Sequence, residues 1–218
     1  MNAILKSKIP ALLAVAALLP LLAGCPGVIE LKSKQAKGGP AKSTVAPILF
    51  DDFEKGMGGA WNYGNTEGGG SCAASEEDTV VHSGKKAMKN VFKSGNGSWG
   101  CGFGWTTAYM PKEGYFNAKG TMGVEFWAKA NRGITFQISV KEAKGNGGDE
   151  EVWLAPQSTG TGSWKKYFIP FDSFTRGIYS GNQAGDDTLE RGALASMDIQ
   201  IDAKQGDSIL YVDDIYFK

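Results

Sequence analysis

Ile134-Thr135-Phe136-Gln137-Ile138-Ser139-Val140 alternates apolar and polar residues without a break. A period of two puts Ile134, Phe136, Ile138 and Val140 on one face and the polar residues on the other, the pattern of a half-buried β-strand. Met197-Asp198-Ile199-Gln200-Ile201-Asp202 repeats it. Val124-Glu125-Phe126-Trp127-Ala128-Lys129 follows it more loosely, with Trp127 on the polar side. Further strands are predicted over Ile48–Phe53, Ala87–Phe92, Gly100–Trp105, Val152–Leu154, Trp164–Ile169 and Ile209–Phe217. Turn-forming clusters such as Lys144–Asp149 and Ser180–Gly185 separate them. From Ile48 onward no segment sustains a helical stripe, and only Leu189–Ser196 has room for a turn or two of helix. Short strands joined by short, glycine-rich connections predict an all-β fold, an antiparallel β-sandwich. They leave no room for the crossover helices of a parallel sheet.

The N-terminus reads differently. Lys6 and Lys8 precede an apolar run from Ala11 to Leu22, interrupted only by Pro20, and small residues lead into Cys25. This is the layout of a secretory signal. A membrane span needs about 20 apolar residues, and this run is shorter and ends in Gly24-Cys25-Pro26-Gly27. Leu22-Ala23-Gly24-Cys25 resembles the lipobox of bacterial lipoproteins. The resemblance implies cleavage after Gly24 and lipidation of Cys25; an ordinary signal peptide and a single membrane anchor are the alternatives. The expected organisation is a signal over 1–24, a lipid-anchored flexible linker over 25–47 and a domain over 48–218. Pro26 is not the aspartate associated with inner-membrane retention, so the expected place is the cell envelope, at the outer membrane or cell surface. The bilayer is then a partner through Cys25.

Lys and Arg number 23, as do Asp and Glu, so the chain has no net charge and offers no electrostatic case for nucleic acid. Lys32, Lys34, Lys37 and Lys42 cluster in the linker, where they serve solubility or touch anionic headgroups. With Cys25 carrying lipid, Cys72 and Cys101 are left to form a disulfide in a compartment where disulfides persist; two free buried thiols are the alternative. His82 is the only histidine and supports neither a zinc site nor a histidine-based triad. Gly95-Asn96-Gly97-Ser98-Trp99-Gly100 has the glycines of a dinucleotide fingerprint, but strand rather than helix follows it, so it reads as a turn.

Four strings carry a second resemblance: Ile48-Leu49-Phe50-Asp51-Asp52-Phe53-Glu54, Val81 to Lys89, Trp164 to Phe174, and Ile209 to Phe217 with its Asp213-Asp214 pair. In this order they resemble carbohydrate-binding modules of the galactose-binding-like jelly-roll group, family 11 in particular, over Leu49–Phe217. The resemblance implies a non-catalytic jelly roll that binds β-glucan in a cleft across its concave sheet. It also implies a structural Ca2+ where the first and last strands meet, held by Asp52, Glu54 and Asp213 with carbonyls near Gly84-Lys85. Strand alternation supports this, because Asp213 shares the face of Ile215 and Phe217, and a carboxylate aimed at the core needs compensation. Whether Asp51 or Asp52 turns toward the ion stays open, and solvated carboxylates are the alternative.

Sugar binding in such a cleft stacks the apolar ring face on Tyr or Trp while Asp and Arg reach the hydroxyls. The resemblance places Tyr63 beside one platform position and Trp99 next to Ser98, which stands at another. Asp149 matches a ligand aspartate, Arg176 and Tyr179 are displaced neighbours of an Arg-x-Asp-Tyr string, and Ile201 replaces a last tyrosine. Tyr63 and Tyr179 fall in glycine- and asparagine-rich stretches that read as loops. Trp99, Trp105, Trp127, Trp153 and Trp164 alternate with strand residues, so most of them read as packing. The domain is expected to be a monomer. A jelly-roll glycosidase is the first rival and needs two carboxylates about 5–10 Å apart. Asp198 and Asp202 share a face but lie roughly 13 Å apart along a strand, and Glu150 and Glu151 point to opposite faces. A surface lipoprotein that holds a protein partner is the second rival, favoured by the incomplete aromatic platform.

Overall fold

The alternation in the sequence is realised as two antiparallel sheets facing each other. The computed structural model describes residues 43–64, 70–95, 100–143, 151–181 and 185–218, with only the backbone of residues 179–181 and of Ala203. One sheet contains β1 (Ile48–Asp51), β3 (Ser71–Glu77), β4 (Ala87–Lys93), β6 (Gly123–Ala130), β10 (Lys165–Pro170) and β13 (Ser208–Phe217), ordered β10-β6-β13-β4-β3 with β1 also on β13. The other contains β2 (Met57–Gly64), β5 (Cys101–Thr107), β7 (Ile134–Glu142), β8 (Glu151–Leu154), β9 (Ser158–Gly160), β11 (Thr175–Gly181) and β12 (Leu194–Ile201), ordered β11-β8-β7-β12-β5-β2 with β9 also on β7. Apart from β3–β4 and β7–β8, neighbouring strands are non-consecutive, which makes this a jelly-roll sandwich rather than a meander.

The inward residues of both sheets form one core. Phe126, Phe136, Ile138, Ile199 and Val212 are buried at the positions the period of two assigns them. Phe50 seals one end, packed against the rings of Trp105, Phe116 and Phe217. Trp105 and Trp153 are core residues, as expected. Cys72 of β3 and Cys101 of β5 are bonded, with Cα atoms 5.6 Å apart, and so join the two sheets covalently.

All nine predicted strands are present, with ends shifted by a few residues. Four more were not legible: β2, β3, β9 and β11. β2 contains Gly58, Gly59 and Gly64 and is mostly exposed, so no apolar alternation marks it. Two expectations are corrected. Leu189–Ser196 forms no helix; Leu194–Ser196 opens β12. Asp213 does not face the core with Ile215 and Phe217. A bulge shifts the register between Asp213 and Tyr216, with Asp214 at φ 50°, so the inward set changes from Leu210 and Val212 to Ile215 and Phe217. Asp213 therefore pairs with Trp127, on the outer side of its sheet, and the turn at His82-Ser83 covers it.

Candidate functional site

Register across the seven-stranded sheet aligns side chains into rows on its outer face. Trp61 lies opposite Gly104, Gly104 opposite Asp198, Asp198 opposite Ser139 and Ser139 opposite Leu154. One row along, Tyr63, Gly102, Gln200 and Gln137 align in the same way. Lys141 and Val152 begin a third. Trp61, Tyr63, Ser139, Lys141, Val152, Leu154, Asp198 and Gln200 line a groove of about 240 Å3. Gln200 also borders a smaller hollow of about 70 Å3 with Gln137, Gln157 and Asp202, which extends the groove along the sheet.

Two glycines make this floor. Cys101, Phe103 and Trp105 point into the core, so Gly102 and Gly104 are the outward positions of β5. A Cβ on Gly102 would overlap the ring of Tyr63, and one on Gly104 would overlap both the ring of Trp61 and Asp198 Oδ1. The missing side chains let the two aromatic rings lie against the sheet. Trp61 remains 37% exposed there. This gives a broad apolar surface beside polar groups, which is what a sugar ring offers in complement.

Asp198 is the acid that lines the groove beside that surface. It is only 9% exposed, and burial raises its carboxyl to about 6, against a partial lowering by Lys141 and by the Ser139 hydroxyl, which donates to Oδ2 at 3.4 Å. Oδ1 has no hydrogen-bond partner among the described residues. The folded-state value lies above the ordinary 3.8, so this carboxyl favours the fold below about pH 4, and that advantage is lost as pH rises through about 6. An acid kept at a cost to stability, with one oxygen buried and unpaired at the floor of a groove, is a candidate binding position. Burial first, and then the Asp198 charge, also raise the Tyr63 hydroxyl.

The site residues read from sequence divide into three sets. Tyr63 lines the groove, on strand β2 rather than in a loop. Arg176 does not line it. It lies opposite Trp153, whose side chain is in the core, and pairs through Nε with Glu151 at 2.8 Å and through a second nitrogen with Asp187. Cys25, Trp99, Asp149 and the side chain of Tyr179 lie outside the described residues. Trp61 and Asp198 line the groove as well, and neither was among the candidates read from the sequence. The two-residue spacing of Trp61 and Tyr63 is the signal that pairs them. The alternation of Met197–Asp202 already placed Asp198 and Gln200 on one polar face.

The carboxylates expected to share a Ca2+ are not gathered into one donor set. Asp52 accepts the Tyr109 hydroxyl at 2.5 Å and the Glu54 N–H at 3.1 Å. Glu54 accepts the N–H groups of Lys85 and Lys86 at 2.6 and 2.8 Å. Asp213 accepts those of His82 and Ser83 at 2.9 and 3.2 Å on one oxygen and that of Asp214 at 2.9 Å on the other. A hard cation needs converging oxygens, whereas here N–H donors converge on the acids. Among the described residues, the His82, Asp213 and Asp214 donor atoms are the ones that come within 4.8 Å of one another. The His82 ring bonds Asp214 at 2.7 Å and stacks on Trp127 at 3.9 Å.

A family model described as carbohydrate binding domain, family 11, matches residues 36–216. The chain belongs to that family. Family 11 domains are binding modules, not catalytic domains, and the groove on the seven-stranded sheet is this member's candidate sugar site. Solved structures show the same fold. A family 11 module from Clostridium thermocellum, solved with a β-1,3-1,4-mixed-linked tetrasaccharide, is 20% identical and superposes with a TM-score of 0.60 over 80% of this chain and 96% of that one. The family 11 module of a cellulosomal cellulase of Clostridium thermocellum is 21% identical, TM-score 0.56, over 80% and 95%. A family 30 module from the same organism is 10% identical, TM-score 0.54, over 79% and 96%. No curated protein matches the chain.

Proposed function

We propose that this family 11 domain holds β-linked glucan chains, without catalysis, against its seven-stranded sheet. Trp61 and Tyr63 stack on glucose rings, and Asp198, Gln200 and Lys141 meet the hydroxyls. The observation that carries this reading is the pair of aromatic rings laid over Gly102 and Gly104 beside the unpaired oxygen of Asp198. The related module solved with a mixed-linked tetrasaccharide supports the choice of glucan. Aromatic stacking contributes about 0.5–1.5 kcal/mol per ring, so a shallow groove with two platforms binds at roughly micromolar to millimolar strength. Titration with a mixed-linkage tetrasaccharide, cello-oligosaccharides and xylan, followed by calorimetry and Trp fluorescence, is expected to give saturable binding to the first two. No heat and no fluorescence change at millimolar sugar would reject the reading and point to a protein partner instead.

We also propose that the domain is tethered to the cell envelope through lipid on Cys25, at the outer membrane or cell surface. Leu22-Ala23-Gly24-Cys25 and the apolar run before it support this. Labelled palmitate is expected to enter the wild type and not the Cys25→Ala variant. Equal labelling of both would end the proposal.

A further inference from the structure

Asp198 is flanked on β12 by two strands of the groove sheet: β5 brings Gly104 to one side and β7 brings Ser139 to the other. β2 contributes Trp61 and Tyr63 to the same groove, β7 also Lys141, β8 Val152 and Leu154, and β12 itself Gln200. Two titratable groups therefore face the carboxyl. The Lys141 charge favours its ionised form, and the Tyr63 hydroxyl is kept protonated by burial and by the Asp198 charge. Asp202, four residues on, borders the adjoining hollow, roughly 13 Å away along an extended strand.

The carboxyl is short of hydrogen bonds. Oδ1 lies over Gly104 beside the Trp61 ring, buried and without a partner. Oδ2 has the Ser139 hydroxyl at 3.4 Å, a long contact. One long bond compensates poorly for the water that a buried carboxylate has lost. Without sugar the neutral acid is therefore favoured, and the carboxyl stands at about 6. A sugar hydroxyl that donates to it reverses the preference, because a charged acceptor makes the stronger hydrogen bond. Binding thus lowers the carboxyl below its value in the free groove. By linkage, affinity is full above about pH 6 and falls as the pH drops below it.

We propose that a proton on Asp198 switches the groove: glucan is held more tightly while this carboxyl is ionised and more weakly once it is protonated. The inference rests on the glucan reading above and adds its regulation. Acidification acts here on binding rather than on the fold. Asp51, Asp198 and Asp213 all stand at about 6, above the ordinary 3.8, so each favours the folded state at low pH and loses that advantage as the pH rises through 6. Asp51 and Asp213 belong to β1 and β13 of the other sheet.

Calorimetric titration of the full chain with the mixed-linkage tetrasaccharide, at about pH 7.5 and about pH 4.5, is the test. Kd is expected to rise roughly 5- to 10-fold at the lower pH. Binding at about pH 5 should also release protons, seen as heats that differ between buffers of unlike ionisation enthalpy. Asp198→Asn should bind with one affinity at both pH values, close to that of the protonated wild type, and release none. Asp213→Asn should keep the wild-type slope. If the Asp198 variant fails to fold, Ser139→Ala carries the test: it removes a hydroxyl that favours the ionised form and should move the midpoint to higher pH. Equal affinity at the two pH values without proton release would overturn the switch and leave glucan binding standing. A slope that survives Asp198→Asn would overturn it in favour of another acid. No binding at the higher pH would overturn the switch and the glucan reading together.

Discussion

The Cys72→Ser, Cys101→Ser double variant is expected to lose about 3–4 kcal/mol of stability. The bridge closes a loop with a sequence separation of 29, and loop-closure entropy for that length gives this magnitude. For a domain of this size the melting temperature should fall by roughly 7–15 °C. The effect should also reach the sugar site. Cys101 precedes Gly102, and β3, which bears Cys72, lies at the edge of the other sheet. Melting in the presence and absence of reductant, for wild type and variant, is the measurement. Reduced wild type should match the variant, and curves within about a degree of oxidised wild type would show that the bridge does not stabilise the fold.

Gly104→Ala is expected to weaken glucan binding by roughly 30- to 2,000-fold while the domain stays folded. The added methyl group collides with the Trp61 ring and with Asp198 Oδ1. Trp61 is partly exposed and yields first, so the platform lifts while the core beneath stays intact. Losing one stacked ring forfeits about 0.5–1.5 kcal/mol, and misplacing a charged hydrogen-bond partner adds about 1.5–3 kcal/mol. In an extended strand Ala is otherwise favoured over Gly, so a propensity effect works against any loss of stability. Calorimetric titration alongside thermal melting separates the two outcomes. Unchanged affinity would mean that sugar does not use this face.

Much of the fold was legible because the core strands are half-buried, and half-burial writes a period of two into the sequence. Ile134–Val140 and Met197–Asp202 show it plainly, and both form the centre of the groove sheet. β2 was illegible for a physical reason: it is an edge strand whose residues mostly face solvent, so nothing forces apolar alternation on it. Trp61 was lost with it. The glycines of Cys101-Gly102-Phe103-Gly104-Trp105 were visible as strand, but their purpose depends on rings contributed by a neighbouring strand. Arg176 went astray because its direction is set by a cross-strand partner, Trp153, and by a buried acid, Glu151, neither of which its own neighbours in sequence reveal. Asp213 was misdirected by a bulge, which breaks the parity on which alternation arguments rest.

The pairing of β1 with β13 also sets a load path. Tension on the chain ahead of Ile48 enters the domain through β1, which pairs antiparallel with the last strand through Ile48, Leu49 and Asp51, Ile48 against Phe217. Before β1 can peel away, Phe50 and Phe53, both fully buried, must be drawn out of the core past Trp105. The strand therefore acts as a barbed plug, held by extraction of rings as well as by its short ladder. Forced unfolding is governed by the unfolding rate rather than by equilibrium stability. Under tension applied ahead of Ile48, the resistance of the domain therefore rests with the residues that anchor its first strand.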